Sequence, residues 1–322
     1  MAKVNLKKVC QALISNLNGR EREVIERRFG LFGKEKETLE AIGRDFGVCR
    51  ERVRQIEEAA LKKIREEIGT KKAVFDSIFS EFKKKGGVRK EENLVLEKGR
   101  EILLLLKLDK RFQRKNQTDE FFTLWTIGKN YLERAKKFLS KLVKFFKKER
   151  KLLKFEEISK IFGIEREVLN SFLEISKIVA KNEEGFYGLL EWPEIKPRGI
   201  RDKAYLVLKK AQRPLHFTEI AAQIKGAKVP TVHNELIKDE RFVLVGRGTY
   251  ALAEWGYFPG EVKDVILRIL KEKKRPMTKE EILEEVRKQR IVKPTTVFLY
   301  LYNKKYFERD SQGRYRPKTA QI

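Results

Sequence analysis

Three tryptophans mark a repeat that restricts the fold of this chain more than any other feature. Trp125, Trp192 and Trp255 recur at intervals of about 65 residues, and each closes a pair of short strand-like runs around a polar turn. A fourth pair ends at Pro317, after a similar interval. A repeat of this length predicts a series of small domains of similar architecture rather than one large core.

Helical stretches precede each of these hairpins. The stretches next to the hairpins are predicted at 99–108, 164–175, 230–238 and 294–302. Shorter helical pieces come before them, most clearly at 155–162, 217–224 and 278–286. Three helices and a hairpin make a winged helix, so the pattern predicts four winged-helix units at 71–127, 128–196, 200–258 and 259–318. The middle helix of the first unit is weakly patterned.

The first seventy residues have a different organisation. Apolar periodicity predicts helices over 4–17 and 20–29, with Gly30 ending the second. Thr38 is a predicted N-cap for a short helix that closes at Gly47, and a long helix follows over 50–66. Two helices joined by a tight glycine-containing turn predict a helix-turn-helix domain over residues 1–70, and the fold class of the whole chain is mainly α.

The helix over 50–66 has a candidate base-reading face. At 100° per residue, its apolar positions Val53, Ile56, Ala60 and Ile64 fall on one side and should pack on the preceding helices. Arginine can fork onto guanine, glutamine onto adenine, and a carboxylate can accept from cytosine. The candidate DNA-binding residues are Arg50, Glu51, Arg54, Gln55 and Lys62. In isolation, an ordinary solvated helix face would be the better explanation of these residues.

These residues occur within a longer pattern, formed by Leu17–Leu31, Thr38–Gly43, Gly47–Glu57 and Ala60–Arg65. The pattern resembles region 4 of the bacterial sigma-70 family. The resemblance implies recognition of a minus-35 promoter element through Arg50, Glu51 and Gln55, with Arg54 supporting DNA contact, and docking on RNA polymerase. Cys49 departs from the family, which usually has threonine there, and cysteine caps a helix weakly. Region 2 of a sigma factor is not found in the sequence, which argues against a free-standing initiation factor.

The third repeat has a resemblance of its own. Ala204–Leu208, Pro214–Ile220 and Gly248–Trp255 resemble the HARE helix-turn-helix module, which occurs in the delta subunit of RNA polymerase and in chromatin and restriction proteins. The delta subunit carries an acidic tail, whereas the C-terminus of this chain is basic. The resemblance therefore does not imply that this chain mimics a polyanion.

The charge of the chain favours a polyanionic partner. Lys and Arg number 74 against 47 Asp and Glu, which gives +27 at pH 7, and nucleic acid is the expected polyanion. Residues 129–154 are rich in lysine and carry aromatic and aliphatic residues at helical spacing. They form either a phosphate-tracking face or a core helix with a solvated outer side.

Features of enzymes, metal sites and membranes are not found in the sequence. Cys10 and Cys49 are the only cysteines, His216 and His233 the only histidines, and both histidines favour structural or surface roles. We therefore expect a cytoplasmic, nucleoid-associated protein that is not an enzyme and has no cofactor, small-molecule substrate or membrane partner.

The resulting prediction is a transcription protein whose partners are double-stranded promoter DNA and bacterial RNA polymerase. Two alternatives stay open. One is an architectural nucleoid protein without promoter specificity, and the other is a DNA-binding subunit of a nuclease system.

Overall fold

The fold is described from a computed structural model that covers residues 5–318. Within these residues the chain forms two compact units, which meet in sequence between Glu191 and Trp192. The predicted mainly α fold class is confirmed, since helices dominate both units and the sheets are small and antiparallel. Within the described residues, no helix has the length and apolar character needed to cross a bilayer.

The first four helices form the N-terminal part of the first unit, which we call the head (residues 5–66). They are α1 (Leu6–Leu13), α2 (Gly19–Phe29), α3 (Leu39–Asp45) and α4 (Arg50–Glu66), and a 3₁₀ turn at Leu31–Gly33 follows α2. Asn18 and Glu21 begin α2 with a reciprocal capping box, because each side chain bonds the other residue's backbone N–H. Gly30 ends α2 in the left-handed conformation that glycine adopts without strain.

The second segment of the first unit continues from a 3₁₀ turn at Ile68–Lys71. It contains α5 (Lys72–Lys84), β1 (Val88–Lys90), α6 (Glu91–Lys98), α7 (Glu101–Leu108), β2 (Gln113–Lys115) and β3 (Leu124–Thr126). Its three strands pair antiparallel in the order β1-β3-β2. The apolar run Ile102–Leu106 of α7 is buried.

The third segment has a similar order of elements. It contains α8 (Lys129–Glu149), β4 (Leu153–Lys154), α9 (Phe155–Phe162), α10 (Arg166–Glu174), β5 (Val179–Lys181) and β6 (Phe186–Leu189). The strand order β4-β6-β5 repeats that of the preceding sheet. Six residues of α8 are buried in the core: Leu132, Ala135, Phe138, Leu139, Leu142 and Phe146.

The second unit contains two further segments. The first comprises α11 (Gly199–Ala211), β7 (Leu215–His216), α12 (Phe217–Ala222), α13 (Val229–Lys238), β8 (Phe242–Gly246) and β9 (Thr249–Leu252), with strand order β7-β9-β8. The second comprises α14 (Val262–Lys273), α15 (Lys279–Gln289), α16 (Pro294–Leu301), β10 (Phe307–Arg309) and β11 (Tyr315–Pro317). Here β10 and β11 form a hairpin, and Met277 makes an isolated bridge to Tyr315.

One sequence-based helix boundary is wrong. The first helix was expected over 4–17, but α1 ends at Leu13, and Val4 lies outside the described residues. Ile14 and Leu17 are buried although they follow the helix, so their apolar character reflects packing of the turn. The bounds of α4 and α9 agree with the prediction, and the other predicted helices differ from the observed ones by a few residues at their ends.

The head shares its core with the second segment. Cys10, Leu13, Ile25 and Ile64 belong to the same buried cluster as Leu105 of α7. Polar contacts join the same elements, since the Cys10 thiol lies 3.6 Å from a backbone oxygen of α7, that of Glu101. Burial raises the pKa of the Cys10 thiol to about 12, so this thiol is neutral and behaves as a small apolar side chain.

Candidate nucleic-acid interface

A small core positions the last helix of the head. Val24 of α2, Ile42 of α3 and Val53 of α4 are fully buried against one another. Leu39, Phe46, Val48 and Ile56 are partly buried around them. Because α4 is held on this side, its opposite side faces solvent.

The turn between α3 and α4 depends on glycine. A Cβ at Gly43 would lie 2.6 Å from the backbone oxygen of Val48, so a side chain there would force the two helices apart. The Val48 N–H donates to the Gly43 carbonyl at 2.9 Å, and Gly47 has a φ of 61°. Thr38 caps α3 as predicted, because its hydroxyl accepts from the Ala41 N–H at 3.1 Å.

Arg27 of α2 fixes the chain on either side of α3. Its guanidinium donates to both carboxylate oxygens of Glu37, at 2.7 and 2.6 Å, and also pairs with Asp45. The hydrogen bond from Arg27 is the main reason that the pKa of Glu37 lies below its usual value. The same guanidinium lies over the ring of Phe46, 5.7 Å from its centroid. This arrangement holds the helix-turn-helix in one geometry.

The structure brings all five predicted site residues onto the exposed surface of α4. They are Arg50, Glu51, Arg54, Gln55 and Lys62. Of the four apolar positions expected to pack inward, Val53, Ala60 and Ile64 are buried and Ile56 is half-buried. The surface placement of the five predicted site residues is thus observed, whereas their contact with DNA stays a prediction.

Arg54 forms a pair network that sequence reasoning did not identify. Its guanidinium donates to both oxygens of Glu51, at 2.9 and 2.6 Å, and also pairs with Glu58. The hydrogen bond from Arg54 is the main cause of the lowered pKa of Glu51, and the two carboxylates raise the pKa of Arg54. In the free protein Arg54 therefore holds the Glu51 carboxylate ionised and in a defined orientation. The spacing of three and four residues is the signal that could have found this network.

Gln55 and Lys62 differ in how they are held. The Gln55 side-chain oxygen accepts from Arg52 at 3.1 Å, and the residue is exposed. Among the described residues, Lys62 makes no ion pair, whereas the adjacent Lys63 binds Glu21 at 2.7 Å. This bond with Lys63 is the main reason that the pKa of Glu21 is lowered. Among the described residues, Lys62 and Arg50 are thus exposed cations of α4 that make no ion pair.

Cys49 occupies the N-cap of α4 without capping it. It has extended backbone angles suited to a cap, but its side chain makes no hydrogen bond to the first turn. It is also exposed. The expectation that cysteine would cap this helix weakly agrees with this geometry.

The two histidines lie in the second unit, in segment 199–252. The His216 ring accepts from the Thr218 N–H at 3.4 Å and begins α12. The His233 ring is half-buried and stacks on Phe217 at 4.4 Å between centroids. Within residues 5–318, no group of three or more His, Cys, Asp or Glu is arranged to hold a metal ion.

Comparison with known proteins identifies the head. The model of the family "Sigma-70, region 4" matches residues 13–66, which span α2, α3 and α4. Residues 13–66 are a sigma-70 region 4 domain. The chain is similar to the protein named RNA polymerase sigma factor RpoD of Helicobacter pylori, in strains 26695 and J99. Identity to each is 50% over 62 residues, which is 19% of this chain and 9% of the relative. The chain therefore spans about a tenth of the length of these relatives.

Proposed function

We propose that this protein binds double-stranded DNA in a sequence-selective way, recognises a minus-35-type promoter element through its region 4 domain, and acts in transcription initiation. The observation that carries the proposal is the exposed face of α4. On it Arg50, Glu51 and Gln55 stand within the first two turns, where a recognition helix meets base edges. The region 4 match supports DNA binding, and promoter selectivity rests on these side chains.

The chemistry of this face suits base reading as well as phosphate binding. A carboxylate is unfavourable near phosphates unless it meets a donor, and an ionised Glu51 offers an acceptor for the amino group of cytosine. The Gln55 amide can meet adenine, and Arg50 can donate to guanine. Lys62, two turns further along the helix, supplies a contact that does not depend on sequence.

Gln55→Ala and Lys62→Ala separate these two kinds of contact. We expect Gln55→Ala to reduce discrimination between a minus-35-type duplex and a scrambled duplex by about 1–3 kcal/mol. Lys62→Ala should weaken binding to both duplexes equally and reduce the salt slope by about one. Fluorescence anisotropy measures both quantities. If both variants bind each duplex as the parent protein does, the α4 face is not the reading surface.

We further propose that the four segments after the head are winged helices and that residues 200–258 form a HARE-type module. The strand order of the first three sheets supports this, because a short strand after the first helix joins a later hairpin each time. The proposed role is binding, without a catalytic step.

RNA polymerase is the proposed protein partner. Region 4 domains belong to sigma factors, which supports this choice. Co-purification of the tagged protein with bacterial RNA polymerase core enzyme tests this partnership. The dissociation constant is then measured with the two purified components. Failure to bind purified core enzyme at micromolar concentration would contradict this part of the proposal.

An architectural role without promoter selectivity is the second candidate. The net charge of +27 favours it, because phosphate contacts alone can supply strong binding. It predicts equal affinity for the promoter-type and scrambled duplexes, whereas the first proposal predicts a difference.

A further inference from the structure

Helix α8 presents a line of cations that lies outside the head and its proposed DNA-binding face. Its members share one face, and we call them the basic stripe: Arg134, Lys137, Lys141, Lys144 and Lys148. Their steps of three and four residues place them within an arc of about 80° at 100° per residue. All five are exposed, and the stripe extends about 21 Å along the helix at 1.5 Å per residue.

Few carboxylates offset the charge of this stripe. Among the described residues, Lys148 pairs with its neighbour Glu149 at 3.6 Å, and the other four members make no ion pair. Glu133, the nearest other acid on α8, pairs instead with Lys136 at 3.3 Å. The stripe therefore carries uncompensated positive charge along a rigid rod, whose opposite face is fixed in the core.

Helix α10 follows the turn of this segment, at the position of a recognition helix. Its contacts with other elements leave little of its surface for DNA. Glu174 accepts from Arg89 at 2.8 Å and from Asn93 at 2.7 Å, and Glu167 pairs with Lys84 at 3.0 Å. Gly86 lies so close to α10 that a Cβ there would be 2.8 Å from Val168. One side of α10 is thus packed on the second segment, and its exposed residues include a carboxylate. The cationic surface of this segment lies on α8 instead.

We propose that the basic stripe of α8 is a second contact for double-stranded DNA, which binds backbone phosphates without reading sequence. A membrane surface fits less well, because the apolar side of α8 is buried in the core and cannot insert into lipid. A single strand fits less well, because Phe138 and Phe146 are buried and Tyr131 and Phe145 are half-buried, so no exposed aromatic ring of α8 is available for stacking. Duplex phosphates need only a line of donors and positive charge.

The test uses the whole protein and compares two triple variants. Lys137→Gln/Lys141→Gln/Lys144→Gln removes three members of the stripe and keeps good helix formers. Lys84→Gln/Lys279→Gln/Lys288→Gln is the matched control. It removes the same charge from exposed helical lysines that already have acidic partners. Circular dichroism establishes that both variants keep the helical content of the parent.

Anisotropy titrations on a promoter-type and a scrambled duplex, from about 50 to 300 mM salt, test whether the basic stripe contacts duplex DNA. We expect the stripe variant to lower the slope of log affinity against log salt by about 2–3 and to weaken binding roughly tenfold or more at 100 mM. The loss should be the same on both duplexes, and the control should stay close to the parent. An unchanged slope, or an equal change in the control, would overturn the proposal. So would a loss on single-stranded RNA or anionic vesicles without a loss on duplex DNA.

This inference extends the proposed DNA binding but fails separately from promoter reading. If the parent protein binds the promoter-type and scrambled duplexes equally while the stripe variant lowers the slope, promoter reading fails and the α8 contact stands. If Gln55→Ala removes the preference and the stripe variant has the parent's slope, the α8 contact fails and promoter reading stands.

Discussion

At the scale of single residues, Arg54 shows how a cation on the reading face acts within the protein itself. It binds Glu51 through two hydrogen bonds and also pairs with Glu58. The negative charge of both carboxylates is therefore balanced by Arg54 in the free protein. The exposure of Arg54 was predictable from the helical period, and its pairing was predictable from spacing alone. The lack of a cap hydrogen bond from Cys49 could be expected from its residue type.

Arg54→Gln tests this pairing through the titration of Glu51. The pKa of Glu51 is lowered chiefly by its hydrogen bond with Arg54, so the ionised form persists below the usual value of 4.5. A carboxylate with a depressed folded-state pKa contributes its stabilising interaction above the unfolded-state value and loses it as the pH falls through the folded-state value. In Arg54→Gln, the Glu51 titration should move up toward 4.5. Carboxyl ¹³C NMR titration measures the pKa of Glu51, and Arg52→Gln is the control. If the pKa of Glu51 is the same in Arg54→Gln as in the parent protein, Arg54 does not bind the Glu51 carboxylate in solution.

At the scale of elements, α4 and α1 show what periodicity can and cannot predict. The bounds of α4 were predictable because Gly47 ends the preceding turn and an uninterrupted apolar period follows. The end of α1 was not, because Ile14 and Leu17 keep the apolar period after the helix has ended. Apolar spacing indicates which residues are buried, and a well-packed turn buries residues too.

The later element that covers the apolar faces of the head was likewise beyond prediction. Sequence analysis placed a boundary after residue 70, and the structure shows one buried cluster that joins the head to α7 across that position. Arg65 reinforces the junction, since it donates to the backbone oxygen of Leu108 at 3.3 Å. A period of 3.6 residues gives the direction of a face but not the element that covers it.

Leu105→Ala tests whether the head depends on α7. Leu105 is fully buried in the shared cluster, so truncation should lower the free energy of unfolding by about 2–5 kcal/mol. Hydrogen exchange should show that the amides of α1 and α2 lose protection together with those of α7. Leu96→Ala is the control, because Leu96 is 79% exposed and its loss should change stability by no more than about 0.5 kcal/mol. Unchanged protection of α1 and α2 in Leu105→Ala would show that the head folds independently.

At the scale of the whole molecule, the composition predicts a class of partner but not the surface that binds it. A net charge of +27 predicts a polyanion, but charge counting cannot distinguish the α4 face from the basic stripe of α8. The sequence left the lysine-rich helix open between a core role and a phosphate-binding role. The structure shows its apolar side in the core and most of its lysines exposed, so both roles can be filled by opposite faces of one helix.

We propose that this protein reads base sequence as well as phosphate charge. The most direct test is an anisotropy titration of the whole protein on a minus-35-type duplex and a scrambled duplex at several salt concentrations. We expect both affinities to fall as salt rises, while the promoter-type duplex keeps an advantage of about tenfold or more, since base contacts do not depend on counterion release. Equal affinity for the two duplexes at every salt concentration, with the same steep slope, would contradict the claim and leave phosphate binding as the function of both surfaces.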